Sequence, residues 1–209
     1  MLIGLALLAC YILGSIPIGL IIGKISRGID IRDFGSGNIG ATNVLRTLGV
    51  GWAVAVFILD TAKGIGSVLI CQKLGLGSWI VVAGGLLGIC GHNFSVFLKF
   101  KGGKGVATSL GVIIGLNPII ALITFIVWGL LVLITRYVSI ASVFAALSTP
   151  LQMIFWKSMH VPIAYQILAV VACMAILLKH TSNIKRLLNR TEPKIGNKVS
   201  ITKESDTND

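Results

Sequence analysis

Apolar residues are concentrated in seven runs that are separated by short polar stretches. A straight helix needs about 20 apolar residues to cross a hydrocarbon core about 30 Å thick. We therefore predict membrane-spanning helices over residues 2–23, 52–71, 77–91, 106–116, 119–135, 138–155 and 163–178. The third and fourth runs are shorter than a straight crossing requires, so they are either short spans extended by their flanks or a re-entrant pair. The strict alternation that is typical of barrel strands is absent.

The distribution of Lys and Arg predicts the orientation of these spans. The first, third and fifth connections and the C-terminal tail contain 15 of the 18 basic residues. Because basic residues accumulate on the cytoplasmic side of a membrane, we predict an all-α integral membrane protein with seven transmembrane helices, an outside N-terminus and a cytoplasmic C-terminus. A five-span alternative would put residues 99–104 at or near the outer side and separate two glycine-rich loops, so we prefer seven.

Composition limits the classes of function. The 209 residues are 55% hydrophobic and 12% charged, with a net charge of +11, whereas soluble domains are about 25% charged. Topology and attraction to anionic lipid explain the positive charge, and we expect no nucleic-acid partner because no basic stripe alternates with aromatic residues. The four cysteines lack metal or redox spacing and are interpreted as free buried thiols. Residues 1–190 form one predicted membrane domain, and the polar residues 191–209 are predicted to be a disordered cytoplasmic tail.

Residues 35–46, with the sequence GSGNIGATNVLR, form the first candidate site and are called loop 1. The G-x-G-x-x-G pattern is not a dinucleotide fingerprint here, since no βαβ unit fits between two membrane spans. A glycine loop that leads into a helix still offers backbone N–H groups to a phosphate, and Arg46 adds a permanent charge. The alternative is a plain turn with an arginine that sets topology. Further candidate donors in loop 1 are Ser36, Gly37, Asn38, Thr42 and Asn43.

Residues 91–105, with the sequence GHNFSVFLKFKGGKG, repeat this combination and are called loop 2. Loop 2 lacks the G-K-[ST] ending of a nucleotide P-loop, so ATP is not implied. Its lysines lie among glycines, where the backbone can fold over a phosphate. The alternative is an ordinary basic cytoplasmic loop. The candidate residues are His92, Asn93, Lys101, Gly102, Gly103 and Lys104.

A third polar cluster follows the last predicted span. His180 and Asn183 are one helical turn apart and would point the same way, although a basic helix end at the membrane surface is an equally good interpretation. Lys185 and Arg186 are close by, and Ser139 and Ser142 near the end of the sixth span are secondary candidates.

Asp60 and Lys63, three residues apart in the second span, are predicted to be a buried structural pair, or alternatively to orient a loop residue. Before the tail the only acids are Asp30, Asp33 and Asp60. No carboxylate metal site is therefore available, and we expect no metal and no cofactor. Anion-binding loops without paired acids fit transfer of a group that is already activated by phosphate.

The two loops and the segment HTSNIKRLL, residues 180–188, resemble the bacterial membrane glycerol-3-phosphate acyltransferases that use acyl phosphate as donor. The resemblance extends in order from Met1 to about Arg190. It implies transfer of an acyl group from acyl phosphate to glycerol 3-phosphate, with lysophosphatidic acid and phosphate as products, at the cytoplasmic face of the bacterial plasma membrane. It also implies functional coupling to the enzyme that makes acyl phosphate.

On this resemblance, Lys104 and Arg46 are expected to bind the substrate phosphates. The catalytic set is Ser36, Arg46, Lys104 and His180. The Gly102 and Gly103 amides would complete the phosphate cradle, while His180, Asn183 and Lys185 would bind glycerol phosphate. The full substrate-binding set comprises Gly37, Asn38, Thr42, Asn43, His92, Asn93, Lys101, Gly102, Gly103, Ser142, Asn183 and Lys185.

The general base stays open between His92, His180 and a phosphate oxygen of the acyl donor, and we favour the phosphate oxygen. Two other functions also remain as alternatives. An organophosphate transporter or lipid flippase needs access from both sides, whereas nearly all polar donors here are on one side. A structural subunit that binds anionic lipid would explain the charge but not the glycine loops.

Overall fold

The computed structural model describes residues 1–157 and 160–197, and within these ranges the secondary structure is entirely helical. Short 3₁₀ turns also lie in the connections, among them Ile31–Asp33 and Val96–Leu98. The helices are α1 (Leu2–Ser15), α2 (Ile18–Arg27), α3 (Ala41–Thr47), α4 (Val50–Lys73), α5 (Ser78–Asn93), α6 (Val106–Leu116), α7 (Pro118–Thr135), α8 (Val138–Phe155), α9 (Ile163–Lys179) and α10 (Thr181–Leu188).

The helices fit a membrane protein by length and composition. Four segments within the described ranges are long and apolar enough to cross a bilayer, namely α4, α5 continued to Leu98, α7 and α8. The pairs α1–α2 and α9–α10 each qualify as one bent span, which raises the number to six. The remaining apolar helix, α6, is shorter. The predicted helical fold is confirmed, while the number of seven spans stays a prediction.

The first predicted span is not continuous. Pro17 lacks a backbone N–H and disfavours a helical conformation at the residue before it, so α1 ends at Ser15 and α2 begins at Ile18 with a bend of 40°. A second bend of 52° separates α9 from α10 at His180. The second bend turns the residues after the last apolar helix towards loops 1 and 2.

Small residues set the closest helix contacts, as expected when packing rather than hydrophobicity holds helices together in lipid. A Cβ on Gly14 would overlap the backbone of Gly88, which brings α1 against α5. Between α4 and α6, a Cβ on Gly64 would overlap the Thr108 carbonyl, and one on Gly111 the Thr61 carbonyl. Gly88 of α5 therefore serves the close packing of α5 against α1.

The helices α7, α8 and α9 form the other side of the molecule. The Asn117 side chain accepts a hydrogen bond from Ile120 N at 3.1 Å and caps α7, and Pro118 occupies the first turn, where its missing N–H is not needed. A hydrogen bond of 3.1 Å between the hydroxyls of Thr124 and Thr149 joins α7 to α8.

The prediction of free cysteines is confirmed, since all four are free and three of them are buried.

Candidate functional site

One cavity of about 380 Å³ lies between loop 1, loop 2 and the helices α4, α6, α7, α8 and α9. Charged and polar side chains from both loops and from the junction of α9 and α10 line one part of it, here called the polar end. The rest, called the apolar part, is lined mainly by aliphatic and aromatic residues. The polar end contains Ser36, Asn38, Arg46, His92, Lys104, His180 and Asn183.

Loop 1 is held in shape by Asn43, which is buried at the start of α3. Its Oδ1 accepts hydrogen bonds from Ser36 N at 2.8 Å and Ser36 Oγ at 3.2 Å, while its Nδ2 donates to the carbonyls of Ile31 and Phe34. All four hydrogen-bonding positions of the amide are therefore used. The structure gives Asn43 a positioning role for Ser36, in place of the substrate contact expected from the sequence.

Arg46 brings a buried cation to the polar end. Its Nη2 donates to the Pro193 carbonyl at 3.1 Å, whereas its buried Nε has no hydrogen-bond partner among the described residues. Burial lowers the pKa of Arg46. A buried donor without a partner is unfavourable by about 1–3 kcal/mol, so this part of the cavity is suited to an anion.

Loop 2 is fixed to the end of α5 through its own glycines. Gly103 N donates to the His92 carbonyl at 2.9 Å, and Gly102 N donates to the Asn93 carbonyl at 3.2 Å. The two glycine amides are thereby used inside the protein, which corrects the expectation that they complete a phosphate cradle. A Cβ on Gly103 would overlap the His92 ring, and one on Gly102 would overlap the His92 carbonyl, so only glycine fits at either position.

The buried pair Asp60 and Lys63 supports this arrangement. Their carboxylate and ammonium groups are 2.9 Å apart, and Lys63 also donates to the Ile16 carbonyl at 3.0 Å in the break between α1 and α2. Asp60 Oδ1 is 3.5 Å from His92 Nδ1. Asp60 and Lys63 thus form the buried structural pair predicted from the sequence. The pair also faces His92 of loop 2, as the alternative interpretation proposed.

Lys104 lies in loop 2 before α6, outside the membrane-spanning helices. Its ammonium donates a short hydrogen bond to Asn183 Oδ1. Burial is the largest influence on the pKa of Lys104 and lowers it to about 8; Glu192 opposes that shift, and Arg186 and Arg46 add to it. The ammonium group is therefore charged at neutral pH but close to its titration point.

His180 is buried at the bend between α9 and α10, and its Nδ1 lies 2.8 Å from the Ile176 carbonyl. A carbonyl can only accept, so Nδ1 carries the proton and Nε2 of the neutral ring is an acceptor. Ser142 is buried in the wall of the cavity, and its hydroxyl accepts a hydrogen bond from Trp128 Nε1 at 3.3 Å.

The cavity separates the residues expected from the sequence into two groups. Its lining includes all four residues of the expected catalytic set and six of the expected substrate-binding set, namely Asn38, Thr42, Asn43, His92, Ser142 and Asn183. The other six do not line it. Asn93, Gly102 and Gly103 build loop 2, and Gly37, Lys101 and Lys185 lie apart from the cavity, with exposed side chains on both lysines.

Two features of the site were missed from the sequence. The apolar part of the cavity combines small and aromatic residues of several helices, and the rings of Phe57, Phe125 and Trp128 form a cluster with centroids 5.7–6.5 Å apart. Glu192, assigned to the tail, is buried in the polar end. A single acid just beyond a basic helix end was the only sequence signal for it. The part of the tail beyond residue 197 is outside the described residues.

Comparison with known proteins agrees with this geometry. A family described as glycerol-3-phosphate acyltransferase matches residues 4–190. The glycerol-3-phosphate acyltransferase of Gloeobacter violaceus is 44% identical over 90% of this chain and 92% of its own length, and one from Synechococcus is 46% identical over 93% and 94%.

Two similar crystal structures have been described for the integral membrane glycerol 3-phosphate acyltransferase PlsY (YgiH). Its glycerol 3-phosphate form has a TM-score of 0.86 and 41% identity, covering 93% of this chain and 96% of that chain. Its lysophosphatidic acid form has a TM-score of 0.83 with the same identity and coverage. The helical fold, the membrane-length apolar helices and these similarities agree, and the chain belongs to the PlsY family of membrane glycerol-3-phosphate acyltransferases.

Proposed function

We propose that this chain transfers an acyl group from acyl phosphate to the sn-1 hydroxyl of glycerol 3-phosphate. The observation that carries the proposal is a cavity in which a cationic polar end continues into an apolar part. Acyl phosphate needs both environments, and glycerol 3-phosphate needs the polar end. Related crystal structures hold glycerol 3-phosphate and lysophosphatidic acid, which are one substrate and the product of this reaction.

The proposed reaction needs no metal or cofactor. The sn-1 oxygen of glycerol 3-phosphate attacks the carbonyl carbon of the acyl phosphate. The bond from that carbon to the phosphate oxygen breaks, and inorganic phosphate leaves with the hydroxyl proton. Because phosphate is a good leaving group, the protein mainly has to orient the two substrates and stabilise developing negative charge.

The residues of the polar end take separate roles in this proposal. Arg46 and Lys104 bind phosphate oxygens, and the unpartnered Nε of Arg46 supports that assignment. Ser36, held by Asn43, donates to the same anions together with Asn38, Thr42 and Ser142. His180 and Asn183 contact glycerol phosphate. His92 holds loop 2 through its carbonyl, which accepts from Gly103 N, and its ring lies against Gly103.

We further propose a seven-span topology in the bacterial cytoplasmic membrane. It combines the four long spans, the two bent pairs and the short helix α6. The basic connections then face the cytoplasm together with loops 1 and 2, and the N-terminus lies outside. The membrane domain covers residues 1–190, and acyl phosphate is supplied by a functionally coupled enzyme. Fusion of a reporter to each connection tests the topology.

A donor assay tests the proposed function. Purified protein in detergent is given labelled glycerol 3-phosphate with either palmitoyl phosphate or palmitoyl-CoA. We expect lysophosphatidic acid from palmitoyl phosphate alone. Product from palmitoyl-CoA would contradict the donor assignment. Uptake of glycerol 3-phosphate into sealed vesicles without chemical change would instead favour a transporter.

The pKa of Lys104 predicts an alkaline limit to activity. Glycerol 3-phosphate is a dianion above about pH 6, and it needs the protonated ammonium of Lys104. A pKa of about 8 means that this ammonium is present at pH 7 and is lost as the pH rises through 8. We expect kcat/KM for glycerol 3-phosphate to fall above pH 8, measured at several pH values. A profile that stays flat to pH 10 would contradict the role of Lys104.

The route of the hydroxyl proton can be tested at His180. We propose that a phosphate oxygen of the acyl donor accepts the proton. Replacement of a general base typically lowers the rate about 10²–10⁴-fold, so His180→Gln should lower kcat by less than about tenfold if the donor itself is the base. Steady-state kinetics at saturating acyl phosphate measure this, and a loss of 10³-fold would assign the base to His180.

The apolar part of the cavity should set the preference for acyl-chain length. Ala146 lines the cavity and is buried in α8. Ala146→Leu should raise the ratio of kcat/KM for dodecanoyl phosphate to that for palmitoyl phosphate by at least about tenfold. A difference of one methylene in an apolar pocket already changes the ratio of kcat/KM between two substrates by about tenfold or more. Ala9→Leu, on an exposed position of α1, is the matched control and should leave the ratio unchanged.

A further inference from the structure

The chain turns back towards the cavity after α10. Arg190 adopts a left-handed conformation with φ of 58°, and Thr191 N donates to the Arg186 carbonyl at 2.8 Å. Residues 191–195, here called the return segment, then cross the polar end. The Pro193 carbonyl accepts from Arg46 at 3.1 Å, and Ile195 N donates to the Arg136 carbonyl at 2.8 Å. The return segment is thus bound to α3 and to the connection between α7 and α8.

Glu192 is the side chain that the return segment brings into the cavity. Its side chain is 3% exposed. Oε1 accepts from Asn183 Nδ2 at 2.7 Å, and Oε2 accepts from Arg186 Nε at 2.7 Å. A carboxylate repels the phosphates that this site is proposed to bind, so its presence among Arg46, Lys104 and Arg186 needs a reason.

The reason lies in the amide of Asn183. Glu192 can only accept, so the amide must turn its Nδ2 towards Glu192 and its Oδ1 towards Lys104. Lys104 can only donate, and it does so to that Oδ1. Hydrogen-bond donation therefore runs from Lys104 to Asn183 and from Asn183 to Glu192. This order fixes the orientation of the amide and the position of the ammonium.

A role of Glu192 as general base is less consistent with its surroundings. Both carboxylate oxygens already accept hydrogen bonds. Burial raises the pKa of Glu192, but hydrogen bonds from Asn183 and Arg186 and the positive charge of Arg186 act in the opposite direction, and the pKa stays below its ordinary value. A carboxylate in this state is a weak proton acceptor.

We propose that Glu192 is a positioning residue of the acyl-transfer site, which holds Lys104 in place through the Asn183 amide and makes the return segment part of the catalytic unit. The proposal rests on the proposed function, since it takes Lys104 as the group that binds a substrate phosphate. It assigns a function to residues that lie beyond the predicted domain boundary at residue 190.

The pH profile distinguishes this role from simple structural support. The charged and titratable groups around Lys104 are Arg46, Arg186, His180 and Glu192. Glu192 is the one that favours the protonated ammonium of Lys104. Removal of its charge should therefore move the alkaline limit of activity to lower pH, which a loss of fold stability alone would not do.

The test compares Glu192→Gln and Glu192→Ala in the full chain with Asp33→Asn, which removes the same charge from an exposed side chain. We expect Glu192→Gln to lower kcat/KM for glycerol 3-phosphate about 10- to 100-fold at pH 7, the usual effect of a lost hydrogen bond to a charged group. Its alkaline limit should move to lower pH, and Asp33→Asn should match the wild type.

Melting temperature and size-exclusion chromatography show whether each variant is folded. A folded Glu192→Gln with wild-type kcat/KM and an unchanged pH profile would overturn the proposal. A loss of activity that follows only the folded fraction, with a superimposable pH profile, would overturn it as well. Calorimetric binding of glycerol 3-phosphate across the same pH range gives the comparison without turnover, so the inference can be judged even if the acyl-phosphate reaction fails.

Discussion

Lys104→Ala should lower kcat/KM for glycerol 3-phosphate about 10³-fold at pH 7. The substitution removes the half-buried cation that the proposal assigns to a substrate phosphate, and loss of one preorganised donor to developing charge typically reduces rates about 10²–10³-fold. It also leaves Asn183 Oδ1 without its donor. Initial rates of lysophosphatidic acid formation over a range of glycerol 3-phosphate concentrations measure the effect.

Lys101→Ala is the matched comparison, because it removes the same charge from the same loop. The Lys101 side chain is exposed and does not line the cavity, so we expect a loss of less than about fivefold, in line with the weak effects of exposed charges. Equal losses in the two variants would mean that loop 2 acts through its overall charge, and they would contradict the specific role of Lys104.

Gly102→Ala should lower kcat/KM about 10²-fold although it changes no charge. The new Cβ would overlap the His92 carbonyl and approach the Asn93 carbonyl oxygen to 3.0 Å. Both neighbours are backbone atoms of a helix end, so loop 2 must move instead. A displacement of about 1 Å in a group that positions substrate can reduce the rate about 10²-fold, and Lys104 is only two residues away.

Gly129→Ala provides the control for the Gly102 variant. Gly129 lies inside α7 with no atom within 4 Å of an added Cβ, and alanine is the better helix former by about 1 kcal/mol. We expect wild-type kinetics and an equal or higher melting temperature. Wild-type kinetics in Gly102→Ala as well would show that loop 2 tolerates rearrangement, contrary to the close contacts described here.

The sequence was sufficient for the helical membrane fold because apolar runs of membrane length have few other interpretations. The motifs also identified the segments that form the candidate site, since loops 1 and 2 and the segment after α9 meet around one cavity. The glycines of loop 2 stand out in the sequence, where we expected their amides to contact a substrate phosphate. In the structure, the Gly102 and Gly103 amides bind the end of α5.

Other features could not be read from the sequence for physical reasons. Lys101 and Lys104 look alike in a glycine-rich loop, and only the folded backbone leaves Lys104 half-buried in the cavity wall and Lys101 exposed. The role of Asn43 depends on a count of hydrogen bonds that span up to 12 residues. Glu192 reaches the site only because the chain reverses after α10, which the polar composition of the tail does not indicate.

The continuity of the polar end with the apolar part has a kinetic consequence. On the proposed function, lysophosphatidic acid carries its phosphate and its acyl chain into the two parts of one cavity. Such a product competes with both substrates, so it must leave before the next pair can bind. Turnover then depends on how fast the lipid escapes into the surrounding bilayer, and membrane fluidity becomes a determinant of the steady-state rate.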